Sequence, residues 1–288
     1  MIEQLGSKDE LRAAVAEARR ESKTVGFVPT MGALHEGHLS LVRAARSRAD
    51  LVVVSIFVNP TQFAPGEDFE RYPRRLDEDM ALLAAEGAEI VFTPSAETMY
   101  EAGATVTVDP GPLGDVLEGA ARPGHFRGVA TVVAKLLGIV RSDVAFFGEK
   151  DFQQLRIVER LARDLDIGTQ IVGCPIVRDA DGLALSSRNA YLGPAERAAA
   201  LAIPEALEAA AQAAAWGETD GRAIEAAMRE VLDAAGLEVG YAVLVDPATL
   251  RPVEAFEAPA RALIAAKVGG VRLIDNCEIR PGRVPAHD

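Results

Sequence analysis

Apolar and polar residues alternate along the first two thirds of this chain in two recurring periods. Residues 9–20 carry apolar positions at helical spacing, and 24–28 read as a short buried strand ended by Pro29. From His38 the apolar positions Leu39, Val42 and Ala45 again recur at helical spacing, and 51–58 is a continuous valine-rich run suited to a strand buried on both faces. The alternation continues with a helix over 76–86 stopped at Gly87, a strand over 90–92, a helix over 128–140 and a strand over 144–147. A helix over 151–165 and a strand over 170–172 close the series. Repeated strand and helix with apolar strands predicts an α/β fold, a parallel sheet with helices on both faces, in which ligands bind beyond the carboxyl ends of the strands. The loops after Val28, Val58 and Phe147 are therefore the places to look.

After Val177 the texture changes to a turn-rich stretch, Arg178-Asp179-Ala180-Asp181-Gly182, then to Ala-rich helices over 194–215 and 219–235. Strands over 241–245, 262–267 and 271–277 look like a small separate sheet. The expected organisation is a parallel-sheet domain over 1–177 and a smaller α+β domain over 178–288. A chain of 288 residues exceeds the usual single domain of about 100–150, which agrees with two.

Composition narrows the partners. Hydrophobic residues make up 49% and charged residues 25%, enough of the first to build a core and too little of the second for a disordered chain. A net charge of −13 argues against nucleic acid as a partner, because a phosphate backbone needs a basic stripe, so an anionic ligand must meet a local positive cluster. Cys174 and Cys277 make no disulfide framework and no Cys-x-x-Cys spacing, and read as buried free thiols. The first residues have no basic segment leading into an apolar core, and no run approaches the roughly 18 apolar residues of a membrane span, so the expected location is cytoplasmic, without a membrane partner.

Three short stretches carry candidate chemistry. His35-Glu36-Gly37-His38 lies between a strand and a helix, where unpaired N–H groups and the positive end of the helix dipole suit a phosphate. The same histidines could instead cap the helix or pack in the loop, and the spacing suits no metal, since it is not His-Glu-x-x-His. Gly148-Glu149-Lys150-Asp151 offers close backbone approach at Gly148 and a point charge at Lys150, or else a solvated turn with a Lys–Asp pair. Leu185-Ser186-Ser187-Arg188-Asn189 sets two hydroxyls beside a guanidinium, or uses the serines as turn residues and Asn189 as a cap. Gln62 in Asn59-Pro60-Thr61-Gln62-Phe63, and Gln153-Gln154, could hold hydroxyls or a carboxylate without adding charge. Arg122-Pro123-Gly124-His125-Phe126-Arg127 could touch an anion or only precede a helix. Phosphate-loop, dinucleotide and Gly-x-Ser-x-Gly motifs are missing, which weighs against P-loop kinases, dehydrogenases and serine hydrolases.

A His-x-x-His pair opening the first helix of the sheet domain proper, with a Ser-Ser-Arg loop later, resembles the nucleotidyltransferase and class I synthetase superfamily. Within it, 28–38, 55–63, 122–129, 147–151 and 186–189 together resemble the pantothenate synthetase family over nearly the whole chain. That resemblance implies a Rossmann-like first domain, ATP as co-substrate with magnesium on its phosphates, and condensation of (R)-pantoate with beta-alanine through an acyl adenylate in a homodimeric enzyme. It places the ATP site on Met31, Gly32, Ala33, Leu34, His35, Glu36, Gly37 and His38, on Gly148, Glu149, Lys150 and Asp151, and on Val177, Leu185, Ser186, Ser187 and Arg188. His38, His35, Lys150 and Arg188 become the catalytic set. Gln62 and Gln154 take pantoate, and Gln62 also beta-alanine. Leu185 stands where many members carry methionine, a change of similar apolar bulk. Asp77, Glu78 and Asp79 are acidic candidates for the magnesium, without assignment as ligands. The rival readings are a cytidylyl- or adenylyltransferase of the same superfamily, a tRNA synthetase, which size and acidity oppose, and a non-catalytic nucleotide sensor.

Overall fold

The computed structural model describes residues 2–255 and 257–282, so the last residues of the expected second domain, 283–288, lie outside the described residues. The chain divides into two compact units, Met1–Val177 and Arg178–Asp288. In the first, the order is β1 (Glu3–Leu5), α1 (Lys8–Arg20), β2 (Val25–Thr30), α2 (Glu36–Arg46), β3 (Leu51–Ile56), α3 (Leu76–Glu86), β4 (Ile90–Phe92), α4 (Ala96–Met99), α5 (Glu118–Ala121), α6 (His125–Val140), β5 (Val144–Gly148), α7 (Phe152–Asp164) and β6 (Gln170–Cys174). The six strands form one parallel sheet in the order β1-β4-β3-β2-β5-β6.

The strands read as apolar runs because both faces of the sheet are covered. Phe27, Val53, Phe92, Ala145 and Phe147 pack with Leu11 and Val15 of α1, Leu136 of α6 and Leu155 of α7. Val28, Val52, Val54, Val91 and Phe146 pack with Leu41 and Val42 of α2 and Leu83 of α3. Neighbouring residues on one strand thus feed two cores, and each fully buried side chain such as Phe27 contributes about 1.5–3 kcal/mol.

The helix boundaries follow local chemistry. Helix α1 starts at a Ser7–Glu10 capping box, and α3 stops at Gly87 in the left-handed region, φ 76°. Several boundaries differ from the sequence reading, among them the start of α6 at His125 rather than 128 and the end of β3 at Ile56 rather than 58. Strand β2 runs through Pro29 to Thr30, because pairing with β5 ends at Phe27 and the imide nitrogen of Pro29 interrupts no ladder there. Helix α2 starts at Glu36 rather than His38, because His35 is its N-cap. The edge strand β1, only three residues long, is too short to show a period.

The second unit holds α8 (Pro194–Ala200), α9 (Ala202–Ala215), α10 (Gly221–Ala234), β7 (Glu238–Val245), β8 (Ala260–Val268) and β9 (Val271–Ile279). The single Ala-rich helix expected over 194–215 is two, broken at Leu201, three residues before Pro204. The strands form an antiparallel sheet, β7-β8-β9, with β8 and β9 joined through Gly269-Gly270, both at positive φ. Ile203, Leu207, Ile224 and Met228 of α9 and α10 pack on Leu244, Ala262 and Ile264 of the sheet.

Candidate active site

The strand order reverses between β2 and β5: the chain moves from β2 outward through β3 and β4, then returns to β5 on the other side. Beyond the carboxyl end of such a pair lies the crevice where open parallel sheets bind ligands. The two loops leaving it are Met31–His35 and Gly148–Asp151.

The first loop is tied down from within. Thr30 Oγ1 donates to the Ser55 carbonyl at 2.8 Å and accepts the Gly32 N–H at 3.2 Å. Gly32 sits at φ 79°, and a Cβ there would lie 2.9 Å from Asp79 Oδ2, so glycine is required both by backbone and by space. The Asp79 carboxylate, buried on α3, accepts the N–H of Ala33 at 2.9 Å and of Leu34 at 2.8 Å. Burial pushes its pKa up, against the lowering effect of those two N–H groups.

His35 Nδ1 accepts the Gly37 N–H at 3.2 Å, and His38 Nδ1 accepts the His35 N–H at 3.4 Å, a capping box built from two imidazoles whose rings lie 4.1 Å apart. An Nδ1 that accepts carries no proton, so a neutral ring holds its proton on Nε2, as a donor. Desolvation, reinforced by His35, holds the His38 pKa down to about 3; Asp151 opposes this and Lys150 adds to it. The helix-cap and anion-site readings of the histidines are therefore compatible: Nδ1 caps, and the proton of a neutral ring sits on Nε2. Met31, Leu34 and Gly37 are half-buried, while Glu36 is exposed.

Gly148 ends β5, Glu149–Asp151 form one tight turn, and α7 follows. Glu149 and Lys150 are half-buried and Asp151 exposed, and both Lys150 and Asp151 act electrostatically on His38. The pairing of β2 with β5 thus brings 31–38 and 148–151 together, although more than a hundred residues separate them.

Gln62 ends the turn Pro60–Gln62, with its Oε1 accepting from Asn59 Nδ2 at 3.1 Å and its Nε2 3.1 Å from Met31 Sδ. The structure separates the two glutamines of α7. Gln153 is buried and committed to the backbone of Leu113, Val116 and Glu118, whereas the half-buried Gln154 makes no side-chain hydrogen bond among the described residues. Arg122 and His125 are turned toward Glu67 and the Gln62 carbonyl.

Val177 is the last residue of the first unit and half-buried. Leu185, Ser186, Ser187 and Arg188 belong to the second, where all four are half-buried. The segment before them folds back on itself, with Asp179 N–H donating to Leu183 O, and Arg178 ties it to the buried Asp275 of β9 by contacts of 2.6 and 3.0 Å. Ser186 Oγ accepts the Arg188 N–H at 3.3 Å and caps the turn Ser187–Tyr191, while Asn189 Nδ2 donates to Ala184 O.

No group of three His, Cys, Asp or Glu side chains among the described residues is arranged to hold a metal ion. Asp77 and Glu78 are exposed, and both oxygens of Asp79 face loop amides. Cys174 and Cys277 are free, Cys174 buried and Cys277 half-buried, and burial pushes the Cys277 thiol up to about 11, an inert form. Among the described residues no helix is long and apolar enough to cross a membrane. Sequence reasoning singled out neither Asn59 nor Tyr100 nor Glu67 as individual contributors. Tyr100 Oη donates to Asn59 Oδ1 at 2.8 Å, a link across 41 positions with no local signal.

A doubly wound parallel sheet with a two-histidine helix start and a lysine turn on its adjacent strands β2 and β5 defines a protein of the nucleotide-binding α/β class. The profile of the pantoate–beta-alanine ligase family matches residues 3–278, and the chain belongs to that family. It is 54% identical to the pantothenate synthetase of Acidobacterium capsulatum, over 96% of each chain, and 54% identical to that of Rubrobacter xylanophilus, over 96% of this chain and 98% of the other. Its structure is similar to the crystal structure of pantothenate synthetase from Thermus thermophilus, with TM-score 0.93, 46% identity, 97% of this chain and all of that one covered. A pantoate–beta-alanine ligase from Francisella tularensis, complexed with beta-gamma ATP and beta-alanine, is similar at TM-score 0.81 and 34% identity, over 96% of this chain and 97% of that one.

Proposed function

We propose that this chain condenses (R)-pantoate with beta-alanine at the expense of ATP, yielding pantothenate, AMP and diphosphate, the amide-forming step toward coenzyme A. The observation that carries this reading is a family match over residues 3–278 whose loops 31–38 and 148–151 leave the switch point of the sheet. A pantoate carboxylate oxygen attacks the α-phosphorus and the bond to the diphosphate oxygen breaks. The beta-alanine amine then attacks the acyl carbon, loses a proton, and AMP leaves with the former carboxylate oxygen.

Neither step requires a covalent enzyme intermediate, so the protein acts by alignment and by stabilising charge. The Nε2–H groups of His35 and His38 and the ammonium of Lys150 are donors to the nucleotide phosphates beside the positive end of the α2 dipole, with Met31, Gly32, Ala33, Leu34, Glu36, Gly37, Gly148, Glu149 and Asp151 shaping the walls. The family resemblance assigns Val177, Leu185, Ser186, Ser187 and Arg188 to ATP as well, and a guanidinium such as that of Arg188 suits bidentate contact with phosphate oxygens. Gln62 and Gln154 take pantoate through neutral amides, and Gln62 also meets beta-alanine.

Among the described residues no three-ligand cage for magnesium is formed, and a cation that prefers water and phosphate oxygens with one or two carboxylates needs none. Bound with ATP, the ion would neutralise phosphate charge; of the acidic candidates Asp79 already has both oxygens engaged by the loop amides of Ala33 and Leu34. The homodimer that the family resemblance implies, and the cytoplasmic location expected from the sequence, belong to the same reading; sedimentation tests the first.

The deciding experiment is pyrophosphate–ATP exchange with pantoate present and beta-alanine absent, followed by AMP release when beta-alanine is added. Exchange independent of pantoate, or absent altogether, would defeat the reading. A nucleotidyltransferase would need a phosphorylated acceptor, and a sensor would release no diphosphate.

A further inference from the structure

Beside the proposed pantoate site lies a linked set of three ionisable side chains to which the reaction assigns no task. Glu67 Oε1 accepts from Arg122 Nε at 2.7 Å and Glu67 Oε2 accepts from Arg122 Nη2 at 2.7 Å, a two-point pair of fixed geometry. The same Oε2 accepts the Ala64 N–H at 3.2 Å. The third nitrogen of that guanidinium, Nη1, lies 3.1 Å from His125 Nε2. A guanidinium only donates, so Nε2 accepts, and the proton of the neutral ring must sit on Nδ1. His125 Nδ1 then donates to the Gln62 carbonyl at 2.8 Å, which Arg122 Nη2 also approaches at 3.4 Å. Burial and the neighbouring guanidinium hold the ring neutral, with its pKa down to about 4.

The chain of contacts ends on the Gln62 side chain. Asn59 holds its Oε1 at 3.1 Å, and its Nε2 rests 3.1 Å from Met31 Sδ, at the start of the histidine loop. Asn59 Nδ2 also donates to the Gly128 carbonyl of α6 at 3.2 Å, which ties the start of the turn to that helix through a side chain.

We infer that Glu67, Arg122 and His125 are positioning residues that act through the Gln62 carbonyl, holding the Gln62 carboxamide in the orientation that receives pantoate. The inference rests on the reading of Gln62 as a pantoate ligand. None of the three touches the substrate; each restricts a backbone on which a substrate contact is mounted. An opposite tautomer of His125 would set two donors, Arg122 Nη1–H and Nε2–H, against each other and leave the Gln62 carbonyl only the longer contact from Arg122 Nη2, so the orientation is self-consistent only in the Nδ1–H form.

The test compares His125→Ala, His125→Asn, Gln62→Ala and the His125→Ala/Gln62→Ala double variant in steady-state kinetics. His125→Ala should raise KM for pantoate about 10-fold, the scale of one buried hydrogen bond, with KM for ATP and kcat within about threefold. Asparagine can set its amide N–H near the place of Nδ1, and His125→Asn should recover most of that loss. Because the effect passes through Gln62, His125→Ala should add less than about twofold on top of Gln62→Ala. Full additivity in the double variant, or an equal rise in the ATP and pantoate KM values, would overturn the positioning role. An unchanged pantoate KM in Gln62→Ala alone would instead overturn the assignment of Gln62, and the inference with it. Nitrogen NMR of the wild-type protein needs no variant to fold: a His125 proton on Nε2 would overturn the arrangement outright.

Discussion

His38 Nδ1 accepts the backbone N–H of His35, and the two rings lie 4.1 Å apart, so one histidine caps the helix and the other closes the box behind it. This divides each imidazole into a structural nitrogen and a donor nitrogen, and the two functions can be removed separately. In His38→Asn a side-chain oxygen can take the place of Nδ1 while the Nε2–H is lost. Pantoyl-adenylate formation should slow by about 10²–10³-fold, as for loss of one preorganised donor, with thermal stability within about 1 kcal/mol of wild type. Single-turnover quench measurements and a melting curve check the two halves, and a variant that loses stability but not adenylation would reverse the assignment.

In the proposed mechanism Lys150, carried by the turn after the neighbouring strand β5, is the second donor to the nucleotide phosphates. Lys150→Ala should cost about 3–4 kcal/mol in the adenylation transition state. Unchanged single-turnover formation of the adenylate would remove it from the site.

Asp79 holds the N–H groups of Ala33 and Leu34, and an amide in its place would turn an NH₂ toward one of them. Asp79→Asn should therefore destabilise the protein by about 1–3 kcal/mol in urea denaturation and weaken ATP binding, since the loop it anchors leads directly into His35. ATP affinity equal to wild type would show that the loop holds its shape without the carboxylate.

Gly128→Ala sets two effects against each other. Alanine is the better helix former by about 1 kcal/mol, but its Cβ would lie 2.3 Å from the Thr61 carbonyl oxygen and 2.7 Å from the Gln62 nitrogen. Both atoms are backbone and can yield only if the turn Pro60–Gln62 moves, which costs about 1–3 kcal/mol or more. Net destabilisation with a raised pantoate KM is expected, and a more stable variant would contradict the close approach of α6 to that turn.

The depressed histidines set a pH dependence. His38 and His125 titrate near 3 and 4 in the folded chain against 6.5 in an unfolded one. Below pH 6.5 the unfolded state takes up protons that the folded state refuses, so stability present above 6.5 is lost as pH falls through 4 and 3. The slope is roughly 1 kcal/mol per pH unit for each ring. Urea midpoints at pH 7.5, 6 and 5 should fall in that order, and the decline should be shallower in His38→Asn.

What the sequence determined by itself is local or repetitive. A buried parallel strand shows as a run of valines, a helix stop as Gly87, and an α/β alternation as the switching of period, because each depends on side chains a few residues apart. The signature loops at 31–38 and 147–151 were legible in the same way, as short contiguous strings after strands. The tertiary structure decided everything that depends on strand order. Only the reversal between β2 and β5 brings Lys150 close enough to act on His38. Only the approach of α3 turns Asp79, one of three acidic candidates on a helix, away from solvent and onto the histidine loop. Gln153 and Gln154 are neighbours of identical chemistry, and packing alone commits the first to the backbone at 113–118. Hydrogen bonds between residues tens of positions apart leave no period in the chain, which is why the partners of Arg122 and His125 had to be found in space.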